Sequence, residues 1–565
     1  MSALAMSAAH QVRDRNDLAV RWLLAAYGAF FLVALVLPVG MMLWRSLGDA
    51  SGNFVGLANF RAYFASPALA GSILNSFAVA GATTAIVVAL AFVYATALTR
   101  SRMPLRTFFT VMAFVPLLMP GLLKAISLVY WFGNQGVLKD VLMGAKIYGL
   151  VGIVAASVLW TFPHAVMILA TAMRLSDARL YESAEALKTG RWRTFRHVTL
   201  PAVRYGLMST AIFVFVSVLT DFGIPKVIGG SYNVLATDIY KEVVGQQNFA
   251  MGAVVSVVLL VPAVIAFVLD RVVAGRQVAQ LSARAVPWEP KRRPWFDGAM
   301  LAYCAAISVV TLGVVGMAQY AAVVKFWPYN LSFTLAHYTF DVEGVGWDNF
   351  ANSLALAATA ATAGTALVFG GAWLVEKPRL DHAARQALHL VALAPMAIPG
   401  LVLGLGYLLF VNQPGSPFGF LYGTLALLAI STVAHYYTVV HLTAVTALKQ
   451  MDREFESVAA SLKAPAWRMF LRVTVPVCAP ALLDIWLYLF LNSMTTVSAV
   501  IFLYGIHTKL ASIAVIHLDE AGRLASAAAM GMLVVYACVA VRLLHLFVSR
   551  FVLARTQRWR ASSAS

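Results

Sequence analysis

The sequence predicts an all-α polytopic membrane protein with about twelve transmembrane helices in two tandem six-helix units. Three observations carry that expectation. Of 565 residues, 61% are hydrophobic and only 12% charged, with a mean hydropathy of +0.80, too apolar and too charge-poor for an average soluble protein. Apolar stretches of about 20 residues, the length that crosses a bilayer core as a helix, recur along the whole chain. The second half then repeats motifs of the first at a nearly constant spacing.

In the first half the spans are expected at Trp22 to Trp44, Ser72 to Leu98, Thr107 to Phe132, Tyr148 to Met173, Val203 to Ile224 and Ala250 to Asp270. In the second they are expected at Gly298 to Val324, Ala351 to Val375, Leu388 to Val411, Phe420 to Ala447, Pro480 to Tyr504 and Ser526 to Ser549. Segments of about ten residues with alternating polarity, which a membrane barrel requires, do not occur. The first span is too long for a signal-peptide core and lacks a small-x-small cleavage site, so it is expected to be retained.

The formal charge of +18 could suggest a nucleic-acid partner, but the cations lie on one side. With a cytoplasmic N-terminus, the inward-facing tails, loops and linker hold 31 of the 42 Lys and Arg. Positive-inside bias accounts for the charge, predicts both termini in the cytoplasm, and leaves no need for nucleic acid. Cys304, Cys478 and Cys538 lie in or beside spans without metal-site spacing and read as small buried hydrophobes.

The repeat is explicit. Asn75-Ser76 returns as Asn352-Ser353 after 277 residues, and Pro116-x-x-x-Pro120-Gly121 returns as Pro395-x-x-x-Pro399-Gly400 after 279. The basic stretch Glu182 to Pro201 returns as Ser457 to Pro476 after 275. Two units are therefore expected, 1–273 and 298–565, joined by a polar cytoplasmic linker, 274–297, that contains Lys291-Arg292-Arg293-Pro294.

The long inward loops, 174–204 and 448–476, are amphipathic where a few residues would suffice to connect two helices. Ala184, Leu187, Phe195 and Val198 alternate with Arg179, Lys188, Arg191, Arg193 and Arg196, and Gly190 allows a turn. Ala459, Leu462, Phe470 and Val473 occupy the matching places in the second loop, where Pro465 stands for Gly190. Topology needs only charge, whereas a shared Leu-Lys, Trp-Arg-x-Phe, Val-Thr-x-Pro framework specifies a shape that something docks against.

Both loops resemble the EAA motif of permeases from binding-protein-dependent ABC importers. Glu182, Ala184, Leu200 and Pro201 match it directly, as do Ala459 and Pro476, while Glu456 lies one place early. The motif's usual glycine is Lys188 in one copy and Lys463 in the other. The resemblance implies that each loop forms a coupling helix seated in an ATPase subunit, two copies per chain, and that a periplasmic binding protein delivers the solute. A lysine at the glycine position implies a roomier ATPase cleft with a carboxylate for the ammonium. No Gly-x-x-x-x-Gly-Lys-Ser/Thr phosphate loop occurs, so ATP and Mg are expected on the partner and no catalysis in this chain. Ala394 to Tyr407, His441 to Lys449 and Met494 to Val500 resemble the 2-aminoethylphosphonate branch first, with ferric iron the alternative solute. A major-facilitator-like secondary transporter is the competing class, but the loop Thr99 to Arg106 lacks that family's Gly-x-x-x-Asp-Arg pattern.

Polar residues inside the spans are candidates for the solute path. Lys124 is one, as an anion partner, a snorkelling cation or the partner of Asp221. Ser217, Thr220 and Asp221 align with Asn492, Thr495 and Thr496 after 275 residues, as a pathway lining or as interhelical hydrogen-bonding groups. Pro116, Pro120, Pro395 and Pro399 would kink their helices, for packing or for gating. His164, His435 and His441 lack ligand spacing, and no metal site is expected.

Overall fold

The computed structural model describes residues 20–49, 51–143, 146–280, 289–340, 344–376, 382–452, 454–462 and 464–556. Most of them are helical. In the first half, besides a short helix Ala58–Ala65, the helices are α1 (Val20–Ser46), α2 (Pro67–Arg100), α3 (Arg106–Phe114), α4 (Gly121–Phe132), α5 (Leu150–Arg174), α6 (Ala178–Ala186), α7 (Arg191–Leu219), α8 (Gly223–Ile228), α9 (Leu235–Tyr240) and α10 (Phe249–Gln280). The second half follows with α11 (Pro294–Val323), a hairpin of β1 (Val324–Phe326) and β2 (Asn330–Phe333), α12 (Trp347–Glu376), α13 (His382–Leu393), α14 (Gly400–Val411), α15 (Leu425–Lys449), α16 (Glu454–Ser461), α17 (Ala466–Val477), α18 (Ala479–Thr495), α19 (Ala511–Glu520) and α20 (Leu524–Thr556). The linker's ends are helical, as the final turns of α10 and the first of α11, and 281–288 lie outside the described residues.

Nine of the described helices are long and apolar enough to cross a membrane, or twelve if each of three sharply bent pairs is one span. Two of those pairs correct the expected third and ninth spans, which are not continuous helices. The chain turns by 100° between Arg106–Leu118 and Gly121–Phe132, and by 105° between Arg385–Ala397 and Gly400–Val411. Residues that precede proline are driven out of the helical region by the ring, and Met119 (φ −107°, ψ 127°) and Ile398 (φ −105°, ψ 114°) are extended. Pro120 and Pro399 are extended too, so the backbone leaves the helix for two residues and re-enters in a new direction. The fifth and eleventh spans also end earlier than expected, at Leu219 and Thr495.

Packing divides the chain into two compact units that do not follow chain order. One comprises Met1–Trp44, Asp348–Leu510 and Tyr536–Ser565; the other comprises Arg45–Trp347 and Ala511–Val535. Helix α1 thus packs with second-half helices: the Tyr27 and Tyr437 hydroxyls are 2.6 Å apart, and the Tyr407 hydroxyl donates to the Ala34 carbonyl at 2.5 Å. Gly406 makes that approach possible, because a Cβ there would lie 2.7 Å from the Pro38 carbonyl oxygen. In the other unit α11 lies along first-half helices, with Trp131 Nε1 donating to the Gly313 carbonyl (3.0 Å) and the Tyr303 hydroxyl to the Leu90 carbonyl (2.9 Å). Helix α19 joins the same unit, where Glu520 pairs with Lys226 of α8 at 2.7 Å.

The repeated Asn-Ser pair has a structural task. Asn75 donates to the Asn233 carbonyl (3.0 Å) and Ser76 Oγ accepts from the Leu235 N–H (2.8 Å), fixing the start of α9. Asn352 repeats the device on the carbonyls of His507 (2.8 Å) and Lys509 (3.2 Å), just ahead of α19.

Gly406→Ala should lower stability by about 1 to 3 kcal/mol, since the added methyl meets backbone rather than a movable side chain. Gly370→Ala, which meets nothing within 4 Å, should leave the thermal midpoint of the detergent-solubilised protein unchanged or slightly higher. Equal midpoints for the two variants would refute the close-approach account.

Candidate functional site

The two long basic loops, 174–204 and 448–476, share much of one local structure, although the helix after the second breaks at Cys478 and turns by 77°. In the first, Asp177 caps α6 by accepting from the Arg179 N–H (3.1 Å). The helix ends in a Schellman turn: the Lys188 N–H donates to the Glu185 carbonyl (2.9 Å) and the Thr189 N–H to the Ala184 carbonyl (3.0 Å). Lys188 is the left-handed residue of that turn, with φ +51°. The motif's usual glycine is explained by this backbone demand, so the lysine departs from the motif in conformation as well as in size. In the second loop the corresponding bond, Ala464 N–H to the Ala459 carbonyl, is 2.9 Å; Lys463 lies outside the described residues.

Gly190 is not the turn residue. It is extended (φ −66°, ψ 154°), with no atom within 4 Å of where its Cβ would be. Pro465 adopts the same conformation (φ −65°, ψ 145°), which explains why glycine and proline exchange there. Each residue is the N-cap of the helix that follows.

Those helices begin earlier than the sequence suggests. Helix α7 runs from Arg191 straight through Leu200 and Pro201, so Pro201 sits inside a helix rather than at its first turn. A single π turn, Phe195–Thr199, lies just ahead of the ring, closed by the Leu200 N–H on the Phe195 carbonyl. The second copy places the π turn at Phe470–Thr474, immediately before Val475-Pro476. Proline cannot donate to the ladder, and the wider turn re-spaces the carbonyls at that point.

The inner side of α6 is held and its outer side is bare. Ala184 is buried, whereas Leu187 is 77% exposed and Trp192 70%; Leu462 (75%) and Trp467 (58%) stand at the same places in the second loop. Glu182, Lys188, Gly190 and Pro201 are exposed beside them, as is Pro476, while Glu456, Ala459 and Pro465 are half-buried. Large apolar side chains among cations, twice over, make a surface suited to a partner protein.

The intramembrane candidates fall into two groups. Ser217 is half-buried in α7. Thr220 donates to the Val216 carbonyl (2.9 Å), Asn492 to the Tyr488 carbonyl (2.8 Å) and Thr495 to the Leu491 carbonyl (3.1 Å), each within its own helix. The expected interhelical bonds are therefore not what these three make. Thr496 is buried.

Lys124 is 1% exposed and does not snorkel. Its ammonium donates to the Met119 carbonyl (2.8 Å), one of the acceptors released by the proline break. Asp221, half-buried just beyond α7, accepts from the Ile224 N–H (3.1 Å) at the start of α8. The cavity beside Lys124, lined also by Pro116, Met119, Leu159, Thr311 and Val314, measures about 10 Å³, room for one water at most. In the second half the corresponding residues are Leu403 and Thr496, so the charge pair is present or absent as a pair. His164, His435 and His441 pack against aromatic rings, and the three cysteines are buried and in no disulfide. Among the described residues no group of three or more His, Cys, Asp and Glu is placed to hold a metal ion.

The model of one protein family, the binding-protein-dependent transport system inner membrane component, matches residues 88–278 and again 368–553. The chain belongs to that family. It is a fused double permease, a multi-pass inner-membrane transport protein of ABC importers and not an enzyme. The permease is 27% identical over 443 residues to a putative ferric transport system permease of Haemophilus influenzae, covering 75% of this chain and 69% of that one. A ferric transport system permease of Actinobacillus pleuropneumoniae is 26% identical over 471 residues, 80% of this chain and 68% of that one. A diacetylchitobiose uptake permease of Streptomyces coelicolor is 26% identical over 303 residues, 47% and 85% respectively. Both curated ferric permeases align across most of the fused chain.

Two residues to which the sequence reading gave no part in the first loop belong to its setting. Arg100, at the end of α2, donates to the Tyr181 hydroxyl (3.3 Å) with its guanidinium 4.6 Å from the centre of that ring. Lys291 of the linker pairs with Glu185 of α6 at 2.5 Å, and its hydrogen bond and charge hold the Glu185 carboxyl below the usual range. Neither pairing has a local sequence signature.

Lys188→Gly should remove a left-handed penalty of about 1 to 2 kcal/mol and slow amide exchange at the end of α6 at least fivefold. Lys188→Ala, which keeps a Cβ, should exchange as the native protein does; equal rates for all three would remove the backbone explanation. Lys124→Leu alone should cost about 1 to 3 kcal/mol, by leaving the Met119 carbonyl without its donor and the half-buried Asp221 without a nearby cation. Adding Asp221→Thr, which installs the second half's pair, should recover part of that in thermal unfolding. A double variant no more stable than the single one would show that the two charges are not coupled.

Proposed function

We propose that the permease forms the translocation pathway of an ATP-driven importer and docks two ATPase subunits, one on each inward loop, 174–204 and 448–476. The observation that carries this reading is the duplicated loop: one capped helix, one Schellman turn, one π turn, and exposed leucine and tryptophan at matched positions. Units 1–273 and 298–565 would each supply one loop, with the linker 274–297 and both termini in the cytoplasm, the orientation supported by the cation asymmetry. ATP and Mg are then held by the partner, and a periplasmic binding protein delivers the solute. Pro116, Pro120, Pro395 and Pro399 would serve as fixed elbows of the pathway, with Ser217, Thr220, Asn492, Thr495 and Thr496 near its lining.

Ferric iron is the first candidate solute, because two relatives spanning most of the chain carry that name. The diacetylchitobiose relative has a comparable identity over a shorter region, so identity at this level does not fix the solute. The segments 394–407, 441–449 and 494–500 keep 2-aminoethylphosphonate as the second candidate.

Copurification of the tagged permease with its ATPase tests the docking. Binding should persist in part when either loop is scrambled and be lost when both are; undiminished binding after scrambling both would overturn the proposal. Uptake of radioactive iron and of labelled 2-aminoethylphosphonate, compared between cells with and without the permease, decides the solute.

A further inference from the structure

At the cytoplasmic edge of the unit that contains α2, α6 and α11, these three elements are joined in a closed ring of polar contacts. Arg100 of α2 grips the coupling helix at Tyr181 and at the α5 terminus, through the Met173 carbonyl (3.0 Å) and the Ser176 hydroxyl. Two residues on, the Arg102 N–H donates to Asp297 Oδ1 (2.8 Å). Asp297 lies in the first turn of α11, and its other oxygen accepts from the N-cap N–H of Arg293 (2.9 Å). The linker then returns to the coupling helix through Lys291 and Glu185 (2.5 Å).

Asp297 is the joint of this ring. It is 8% exposed, both carboxylate oxygens accept backbone N–H groups, and it sits at the positive end of α11. Leu180 and Leu187, exposed on and just beyond α6, belong to the apolar surface offered to a partner, so a displacement of α6 by that partner would carry Tyr181 and Glu185, the two points at which the ring holds it. Helix α11 in turn carries Gly313, which receives the Trp131 bond from α4, and Thr311 and Val314, which wall the cavity beside Lys124.

We propose that Asp297 is a positioning residue that transmits movement of the first coupling helix into α11, the opening span of the second half. Transmission therefore crosses from one half of the sequence to the other at the linker. This rests on the reading that loop 174–204 docks an ATPase.

The test is amide hydrogen exchange on the full permease–ATPase complex in nanodiscs, with and without ATP and vanadate. In the native complex, trapping should change exchange both at 178–189 and at 294–300. In Asp297→Asn, which loses one of the two acceptors, the response at 178–189 should persist while that at 294–300 falls at least threefold. Glu185→Lys and Lys291→Glu, both at exposed positions, should each weaken the 294–300 response, and the double exchange should restore it. That pair decides the matter if Asp297→Asn fails to assemble. A native response at 178–189 without one at 294–300, or an unaltered 294–300 response in the Asp297 and charge-exchange variants, overturns the inference alone. No response at 178–189 in the native complex overturns the docking reading, and the inference with it.

Discussion

Inside a bilayer every backbone N–H and C=O needs a partner from the protein, and proline withholds one donor wherever it stands. This chain places prolines at equivalent points of both halves, and much of its architecture consists of the arrangements that make them tolerable. Where proline follows a helix, at Pro116-x-x-x-Pro120 and Pro395-x-x-x-Pro399, the helix stops and restarts at close to a right angle. Where proline lies within a helix, at Pro201 and Pro476, a π turn precedes it; α7 then runs on to Leu219, whereas α17 ends at Val477 and the chain turns by 77° into α18. The same deficit is met in one place by redirection and in the other by a change of pitch.

The repeat acts as an internal control on what the fold itself requires. Both halves bend at the same prolines, but only the first places a lysine against the released carbonyl; the second has Leu403 there. The bend therefore does not need a charge, and Lys124 with Asp221 is an addition to the first half. Gly190 and Pro465 make the opposite point: unlike residues share one extended conformation, so the repeat conserves geometry where it does not conserve identity.

The spans were legible because twenty apolar residues admit few readings in a charge-poor chain. The broken spans were legible as proline sites but not as right angles, since the angle arises from two successive extended residues, Met119-Pro120 and Ile398-Pro399. In the loops, the repeated framework marked the segments that expose large apolar side chains but put the turn at Gly190. A lysine concealed the left-handed position, which follows from where α6 exhausts its hydrogen-bonding partners rather than from residue type. Asp297 was hidden for a different reason: its partners are backbone N–H groups nearly two hundred residues away and at the adjoining cap, and neither leaves a pattern in composition.

The exchange of opening helices between compact units also sets a timetable for synthesis. Tyr27 of α1 and its partner Tyr437 are 410 residues apart. At about 5 to 20 residues per second, α1 spends roughly 20 to 80 seconds in the membrane before that partner is made. Through that interval its tyrosine hydroxyl and the surface destined for Gly406 face lipid or another chain. Helix α11 has the reverse history, emerging into a membrane where α2 and α4 already wait. The first helix to enter the bilayer is thus among the last to find its native neighbours, and fragments cut at the linker would each carry one opening helix belonging with the other.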